Sequence, residues 1–403
     1  MEIYTTFRIF YILLRYTFSS CILFLLSTTI CTAQRVTFNK GGTESKNYYE
    51  EIPYELVNGV IFLTPEINGI KRKFIFDTGA PVQITPELFN ELKPEVINHT
   101  EITDATGKKA SLNIVSLTTL KLNNLSFTGI PALVSGSSLY KCWHIDGVIG
   151  SNLLRKSIVQ IIPAKHIIIL TDDETKLSIN KKMQTPLITG EPQSFPYFNM
   201  QVANKKTMMV GFDTGSPNFL RITATDANRF KNDDAFEKIS AGYGINHMSL
   251  LGLQIPDSLY RLKISSLSIA GGTFTNAVTE TSKSRSTRIG TKILDYGIVT
   301  IDFIHHLFYF ELTTDTINLG EKLWPLKPIV ADDKLVVGVV WEKLKDQVKS
   351  GDQIMAIDDE SCQTIDLCDW LSGKVERMMD KQTATLTIKD KQGNIKKISI
   401  TKE

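Results

Sequence analysis

The chain has 403 residues, 42% hydrophobic and 22% charged, with a formal net charge of +2. That is the balance of a folded protein, and the length leaves room for two or three domains. Charges of both signs are mixed along the chain, and no basic tract interleaved with aromatics occurs, so nothing calls for a nucleic-acid partner.

The N-terminus differs from the rest. Arg8 and Arg15 flank one apolar stretch, and Cys21-Ile22-Leu23-Phe24-Leu25-Leu26 forms another. Cys31-Thr32-Ala33 then offers small residues where a signal peptidase reads, so residues 1–33 are expected to be a secretory signal peptide cleaved before Gln34. An uncleaved anchor is the lesser reading, because the apolar core is short for a membrane span. The mature protein is then exported, periplasmic or extracellular, without a stable membrane span. Cleavage leaves Cys142, Cys362 and Cys368. Three cysteines permit one intrachain bridge, for which Cys362 and Cys368 are close enough in sequence; three partly buried thiols are favoured over it. No Cys-x-x-Cys occurs, and His305-His306 reads as a hairpin turn, so no metal site is expected.

From residue 60 a pattern appears and then repeats. Val60 to Leu63 is strand-like, Asn68-Gly69 is a hairpin turn, and Lys71 to Phe76 returns. In the second half Phe195 to Val202 is extended, Asn204 turns, and Lys206 to Phe212 returns. Each return strand ends in Asp-Thr-Gly, at Asp77-Thr78-Gly79 and Asp213-Thr214-Gly215, 136 residues apart. After each comes a short strand and a helix: Val82 to Thr85 then Pro86 to Leu92, and Phe219 to Thr223 then Ala224 to Phe230. Pro86 suits a first helical turn. The blocks Ile149-Gly150-Ser151 and Ile289-Gly290-Thr291 match, as do Ser157 to Ile161 and Gly297 to Ile301. Two similar β-rich lobes are expected over residues 50–175 and 190–315, with a polar linker at 176–189. Residues 322–403 form a third unit. It has a strand at Val336 to Val340, a turn and strand at Gly351 to Asp358, helical spacing from Asp366 to Met379, and a closing hairpin around Gln392-Gly393-Asn394.

A lone Asp-Thr-Gly is usually a turn. Two copies in matched settings imply that Asp77 and Asp213 meet at a pseudo-twofold axis. Adjacent carboxylates cannot both ionise cheaply and share one proton, which provides a general base and a general acid together; the aspartic-protease dyad is the standard example of this coupling. Gly79 and Gly215 allow close approach, and Thr78 and Thr214 can hydrogen-bond across the interface. Ser216 stands where the first copy has Ala80, and its hydroxyl is expected to make Asp213 the more readily ionised member.

The blocks Phe76-Asp77-Thr78-Gly79-Ala80-Pro81 and Phe212-Asp213-Thr214-Gly215-Ser216-Pro217 resemble retropepsin- and pepsin-type aspartic proteases, and Val148-Ile149-Gly150 resembles that family's second signature. Residues 50–315 look most similar to exported bacterial aspartyl proteases with two retropepsin-like lobes and a C-terminal PDZ domain. The resemblance implies a mainly β fold, with two tandem β-barrel lobes and a small α+β PDZ-like unit. It also implies peptide-bond hydrolysis at Asp77 and Asp213 without a cofactor or metal. Arg288 departs from the pattern by replacing an apolar residue before Ile289-Gly290, and the polar run from Thr281 reads as mobile. Asp104-Ala105-Thr106-Gly107 is the candidate substrate-binding flap, with Gly242-Tyr243-Gly244 as its counterpart. The tail resembles a PDZ domain at Gly351 to Asp358, which implies a C-terminal peptide as a second partner beside a peptide substrate. Pro325 and Pro328 lack the donors a carboxylate-binding loop needs, so a purely structural tail stays equally open. The alternative to a peptidase is a non-catalytic peptide-binding protein or adaptor on the same scaffold.

Overall fold

The computed structural model describes residues 37–403 except 105–106, 204–205, 231–234, 315, 374–377 and 379–380. The signal-peptide reading, the Asn204 turn and the flap residues Ala105 and Thr106 lie outside the described residues. Among these residues no helix is long and apolar enough to cross a membrane.

The described chain is mainly β. In the first half Val60–Leu63 runs antiparallel to Phe74–Asp77, with Phe62 opposite Ile75. Between them Asn68 (φ 51°) and Gly69 (φ 77°) form a tight turn with two left-handed residues, which asparagine and glycine tolerate best. Phe74–Asp77 is then flanked in parallel by Gly147–Gly150, and Gln83–Ile84 packs on that strand's other edge. The second half repeats the pattern. Lys206–Phe212 runs beside Arg288–Ile289 in parallel, and Leu220–Thr223 takes the other edge. Each half then enters a short helix capped by a threonine. Thr85 Oγ1 accepts from Leu88 N at 3.2 Å before Pro86–Leu92, and Thr223 Oγ1 accepts from Asp226 N at 2.9 Å before Ala224–Arg229.

The halves join through their own strands. Ile158–Ile162 pairs antiparallel with Gly297–Asp302, and Gln160 stands opposite Thr300 with its Nε2 donating to Thr300 Oγ1 at 3.1 Å. One apolar core runs through both halves, from Phe76 and Ile149 to Phe212 and Ile289. The segment 176–189, read as a linker, contains the strand Gln184–Gly190, which pairs with both Leu307–Leu312 and Phe195–Val202. Its polar residues mislead because alternate side chains of this strand face solvent while Leu187 is buried. Thr281, Ser282 and Thr287, expected in a mobile loop, are buried; Thr287 Oγ1 accepts from Thr223 N and donates to Asp226. Paired hydroxyls let this polar stretch enter the interior.

The tail has its own core around Leu335, Val337, Ile354, Leu386 and Ile388. Leu326–Ala331, which contains Pro328, is a strand paired with Lys334–Trp341. Two links tie this unit to the rest. Residues 339–341 pair with Gly242–Gly244 of the second half. On the other side a disulfide joins Cys142, in the Ser138–Trp143 helix of the first half, to Cys368, in the Leu367–Leu371 helix of the tail. Asn58 Nδ2 also donates to Leu371 O at 2.8 Å. Neither cysteine reading from the sequence survives: Cys368 pairs 226 residues away, and Cys362 is buried in the tail core. Helix packing brings the bridged cysteines together, which sequence distance cannot reveal.

Closing a loop of that length contributes about 2–5 kcal/mol. A Cys142→Ser, Cys368→Ser double variant is therefore expected to be less stable by that order in denaturant melts without reductant. Unchanged midpoints would show that the bridge is not a brace.

Candidate active site

Asp77 ends Phe74–Asp77 and Asp213 follows Lys206–Phe212, so each carboxyl sits where a buried strand breaks into a turn. The turns are built alike. Ala80 N donates to Asp77 O at 3.3 Å and Ser216 N to Asp213 O at 3.1 Å. Inside each loop the glycine N–H donates to its own aspartate, Gly79 N to Asp77 Oδ1 at 2.8 Å and Gly215 N to Asp213 Oδ1 at 3.1 Å. A Cβ on Gly79 would stand 2.4 Å from Asp213 Oδ1, and one on Gly215 would stand 2.4 Å from the Asp77 carboxyl carbon. Only glycine fits where the two turns face each other.

The threonines lock the turns crosswise. Thr78 Oγ1 donates to Phe212 O at 2.7 Å and accepts from Thr214 N at 3.1 Å. Thr214 Oγ1 donates to Phe76 O at 2.8 Å and accepts from Thr78 N at 3.0 Å. Both threonines are fully buried. The two aspartate side chains come within hydrogen-bonding reach of each other.

Charge is divided unequally. Burial, then the Asp213 charge and the hydrogen bond to it, push the Asp77 carboxyl up to about 8. Asp213 faces a cation: Arg288 Nη1 donates to Asp213 Oδ2 at 2.6 Å, while Arg288 Nε donates to Ser286 Oγ at 3.3 Å. Burial works against the Arg288 charge, but the Asp213 charge and hydrogen bond outweigh it and hold its pKa above the ordinary arginine value. The proton of the pair therefore rests on Asp77. The sequence makes Ser216 the source of a difference between the aspartates, but Ser216 Oγ accepts from Asn218 Nδ2 at 3.5 Å, and the side chain paired with Asp213 is Arg288. In the sequence Arg288 is a lone break in an apolar signature; only the strand register puts it opposite Gly211, one residue from Phe212.

Around Asp77 the wall is apolar. Val60, Phe62, Ile75, Tyr140 and Val148 cluster there, and Leu250 of the second half packs against them. Tyr140 is pushed well above the usual tyrosine range by burial and then by the Asp77 charge, and its hydroxyl donates to Gln83 Oε1 at 2.9 Å. Of the flap candidates, Asp104 and Gly107 stand at the tip of the hairpin Glu95–Thr103 and Lys109–Leu122, where Gly107 N donates to Asp104 O at 3.0 Å. Asp104 Oδ2 accepts from Leu251 N at 3.0 Å, and Lys108 Nζ donates to Leu251 O at 3.2 Å, so this tip is latched to the second half. Gly242-Tyr243-Gly244 is not a hairpin tip; it lies inside the strand Glu237–Gly244, between Asp257–Ile269 and the tail. Gly242 is needed there because Trp341 packs directly on it, 2.6 Å from where a Cβ would stand. His305 and His306 fall in the turn after Asp302. His305 Nδ1 lies 2.7 Å from Asp302 Oδ2, Glu174 completes a group within 4.8 Å, and Lys181 pairs with Glu174 at 3.0 Å.

Residues 63–153 match the family model described as aspartyl protease. The matched span covers the first Asp-Thr-Gly turn and ends just beyond Gly150. Among solved structures, the chain is similar to basic 7S globulin from soybean, with 10% identity, 66% of this chain and 95% of that chain covered, and a TM-score of 0.38. It is also similar to a retropepsin-like aspartic protease from Rickettsia conorii, with 22% identity, 32% and 94% covered, and a TM-score of 0.24. No curated protein matches the sequence.

Two outcomes are expected. Thr78→Val strands Phe212 O and Thr214 N in the interior and should cost about 2–4 kcal/mol in denaturant melts, with Thr78→Ser recovering most of it. Asp77 is raised in the folded state, so its contribution to stability is complete below the unfolded value of 3.8 and is lost as pH rises through about 8. Across that window wild type should lose stability relative to Asp77→Asn by up to about 1.4 kcal/mol per pH unit. Parallel stability–pH curves would show that Asp77 is not the protonated member.

Proposed function

We propose that the protein is an exported, two-lobed aspartic endopeptidase whose catalytic residues are Asp77 and Asp213. One observation carries this reading: two carboxyls within hydrogen-bonding reach, held by turns that Thr78 and Thr214 interlock, with a guanidinium on one of the two alone. In the reaction Asp213 takes a proton from a water molecule as that water attacks the peptide carbonyl, and Asp77 gives its proton to the carbonyl oxygen, forming a gem-diol. As the gem-diol collapses, one hydroxyl returns a proton to Asp77, the C–N bond breaks, and the proton on Asp213 goes to the leaving amine. The dyad acts as base and acid at once, and Thr78, Thr214, Gly79 and Gly215 keep the carboxyls in register. The hairpin tip at Asp104 and Gly107 serves as the flap, and the apolar wall at Ile75 and Val148 receives a substrate side chain.

The PDZ-like tail is assigned a bracing role. Its strand edge at 339–341 is already paired with Gly242–Gly244, and its helix is bound covalently to the first half. An added peptide strand would have to displace that pairing.

A non-catalytic peptide-binding protein is the second reading. It is favoured by Arg288, which sits on an Asp213 oxygen that the water would need. Digestion of a peptide library by wild type, Asp77→Asn and Asp213→Asn separates the two. The peptidase reading expects cleavage by wild type, a loss of about 10³-fold or more in either variant, and an alkaline limb near pH 8, where Asp77 releases its proton. Binding without cleavage at any pH from about 3 to 8 establishes the binding protein instead.

A further inference from the structure

Val148 and Arg288 hold equivalent posts. Each stands two residues before the glycine under its Asp-Thr-Gly turn, and each is paired in parallel with the aspartate-bearing segment, Val148 with Ile75 and Arg288 with Gly211. Their surroundings are opposite in character. Val148 belongs to the apolar cluster of Val60, Phe62, Ile75 and Tyr140. Arg288 stands opposite Arg221 in the antiparallel register. Arg221 in turn shares Glu280 with Arg261 and Lys327. Arg288, Arg221, Arg261 and Lys327 thus gather around Asp213 and Glu280, with Asp77 also acting on Arg288 and Glu403 on Arg261. Burial brings Lys327 down to about 8, with Glu280 opposing and Arg221 and Arg261 adding to the fall. This side of the site is built to meet negative charge.

The placement of the guanidinium adds a constraint. The inner oxygen of Asp213, Oδ1, is held by the Gly215 N–H, and Arg288 covers Oδ2. A carboxylate oxygen accepts more than one hydrogen bond, so the ion pair does not close Oδ2, but a guanidinium held there lowers the basicity of Asp213 toward a water. Turning a cation away from a carboxylate is easiest when another carboxylate takes it. The side chain can move: it is 23% exposed against 6% for Asp213, it lies against the Phe195 ring at 5.4 Å, and its other bond is a long one to Ser286.

We propose that Arg288 is a specificity-determining residue that takes an acidic side chain of the peptide on the second-half side of the scissile bond, and that this exchange uncovers Asp213 for catalysis. The inference rests on the peptidase reading. Its substrates are peptides with an apolar residue toward Val148 and an aspartate or glutamate toward Arg288. Substrates with a neutral residue there leave the ion pair in place and are cleaved slowly.

The test uses the full chain and peptides that differ only at the centre: Leu-Asp, Leu-Glu, Leu-Asn and Leu-Gln, and each pair in reverse order. For wild type, kcat/KM is expected to favour the acid over its amide by about tenfold or more in one order only. Arg288→Leu and Arg288→Gln should bring that ratio to about 1, mainly by raising cleavage of the amide peptides as the cover on Asp213 is removed, and Arg288→Lys should restore part of the preference. Equal cleavage of acids and amides by wild type overturns the proposal whether or not the variants fold, as does an unchanged ratio in folded Arg288→Leu. If wild type cleaves none of the peptides, nor any in the library, the peptidase reading fails; if it cleaves them without an acid preference, only this proposal fails.

Discussion

Everything at the site depends on two backbone turns interlocked by a pair of buried hydroxyls. Thr78 and Thr214 each spend one hydroxyl on a carbonyl and an amide of the opposite turn. Those four bonds fix the approach of Asp77 to Asp213 more tightly than side-chain packing alone could, because an unpaired donor or acceptor there would be stranded away from water. The strand pairing across Gln160 and Thr300 sets the halves at the right distance, and the core shared by Phe76 and Phe212 keeps them there. The glycines then follow of necessity, since nothing larger fits between the carboxyls and the opposing backbone.

Within that near-symmetric frame the charge is deliberately uneven. A symmetric dyad leaves its proton undecided between two equal acids. Here a guanidinium on one side and an apolar wall on the other decide the matter, so Asp77 and Asp213 have different chemistry despite matching turns. The unevenness extends outward, into a cationic cluster behind Asp213 and an aliphatic and aromatic one beside Asp77.

Much of this frame was legible in the sequence because it rests on local rules. The apolar strands before Asp77 and Asp213, the Asn68-Gly69 turn, Thr85 before Pro86 and the closing hairpin of the tail all formed where pattern placed them. What escaped detection depends on distant pairing. Cys142 and Cys368 meet only because two short helices pack together. Gly242-Tyr243-Gly244 looked like a turn because glycine is usually a turn residue, yet here Trp341 needs the room. Arg288 read as a blemish in an apolar signature, since its partner lies 75 residues earlier. Leu326–Ala331 was hidden by its proline, which the strand accommodates at an irregularity between Lys327 and Pro328.

The bridge between Cys142 and Cys368 changes what happens when the chain is cut. All of the second half, including Asp213, lies between those two cysteines. A nick anywhere in that stretch leaves both fragments covalently joined, and for one between Gly244 and Val339 the pairing of Gly242–Gly244 with residues 339–341 also spans the break. Internal scission becomes a change in connectivity instead of a loss of mass, hidden until a thiol reductant separates the pieces.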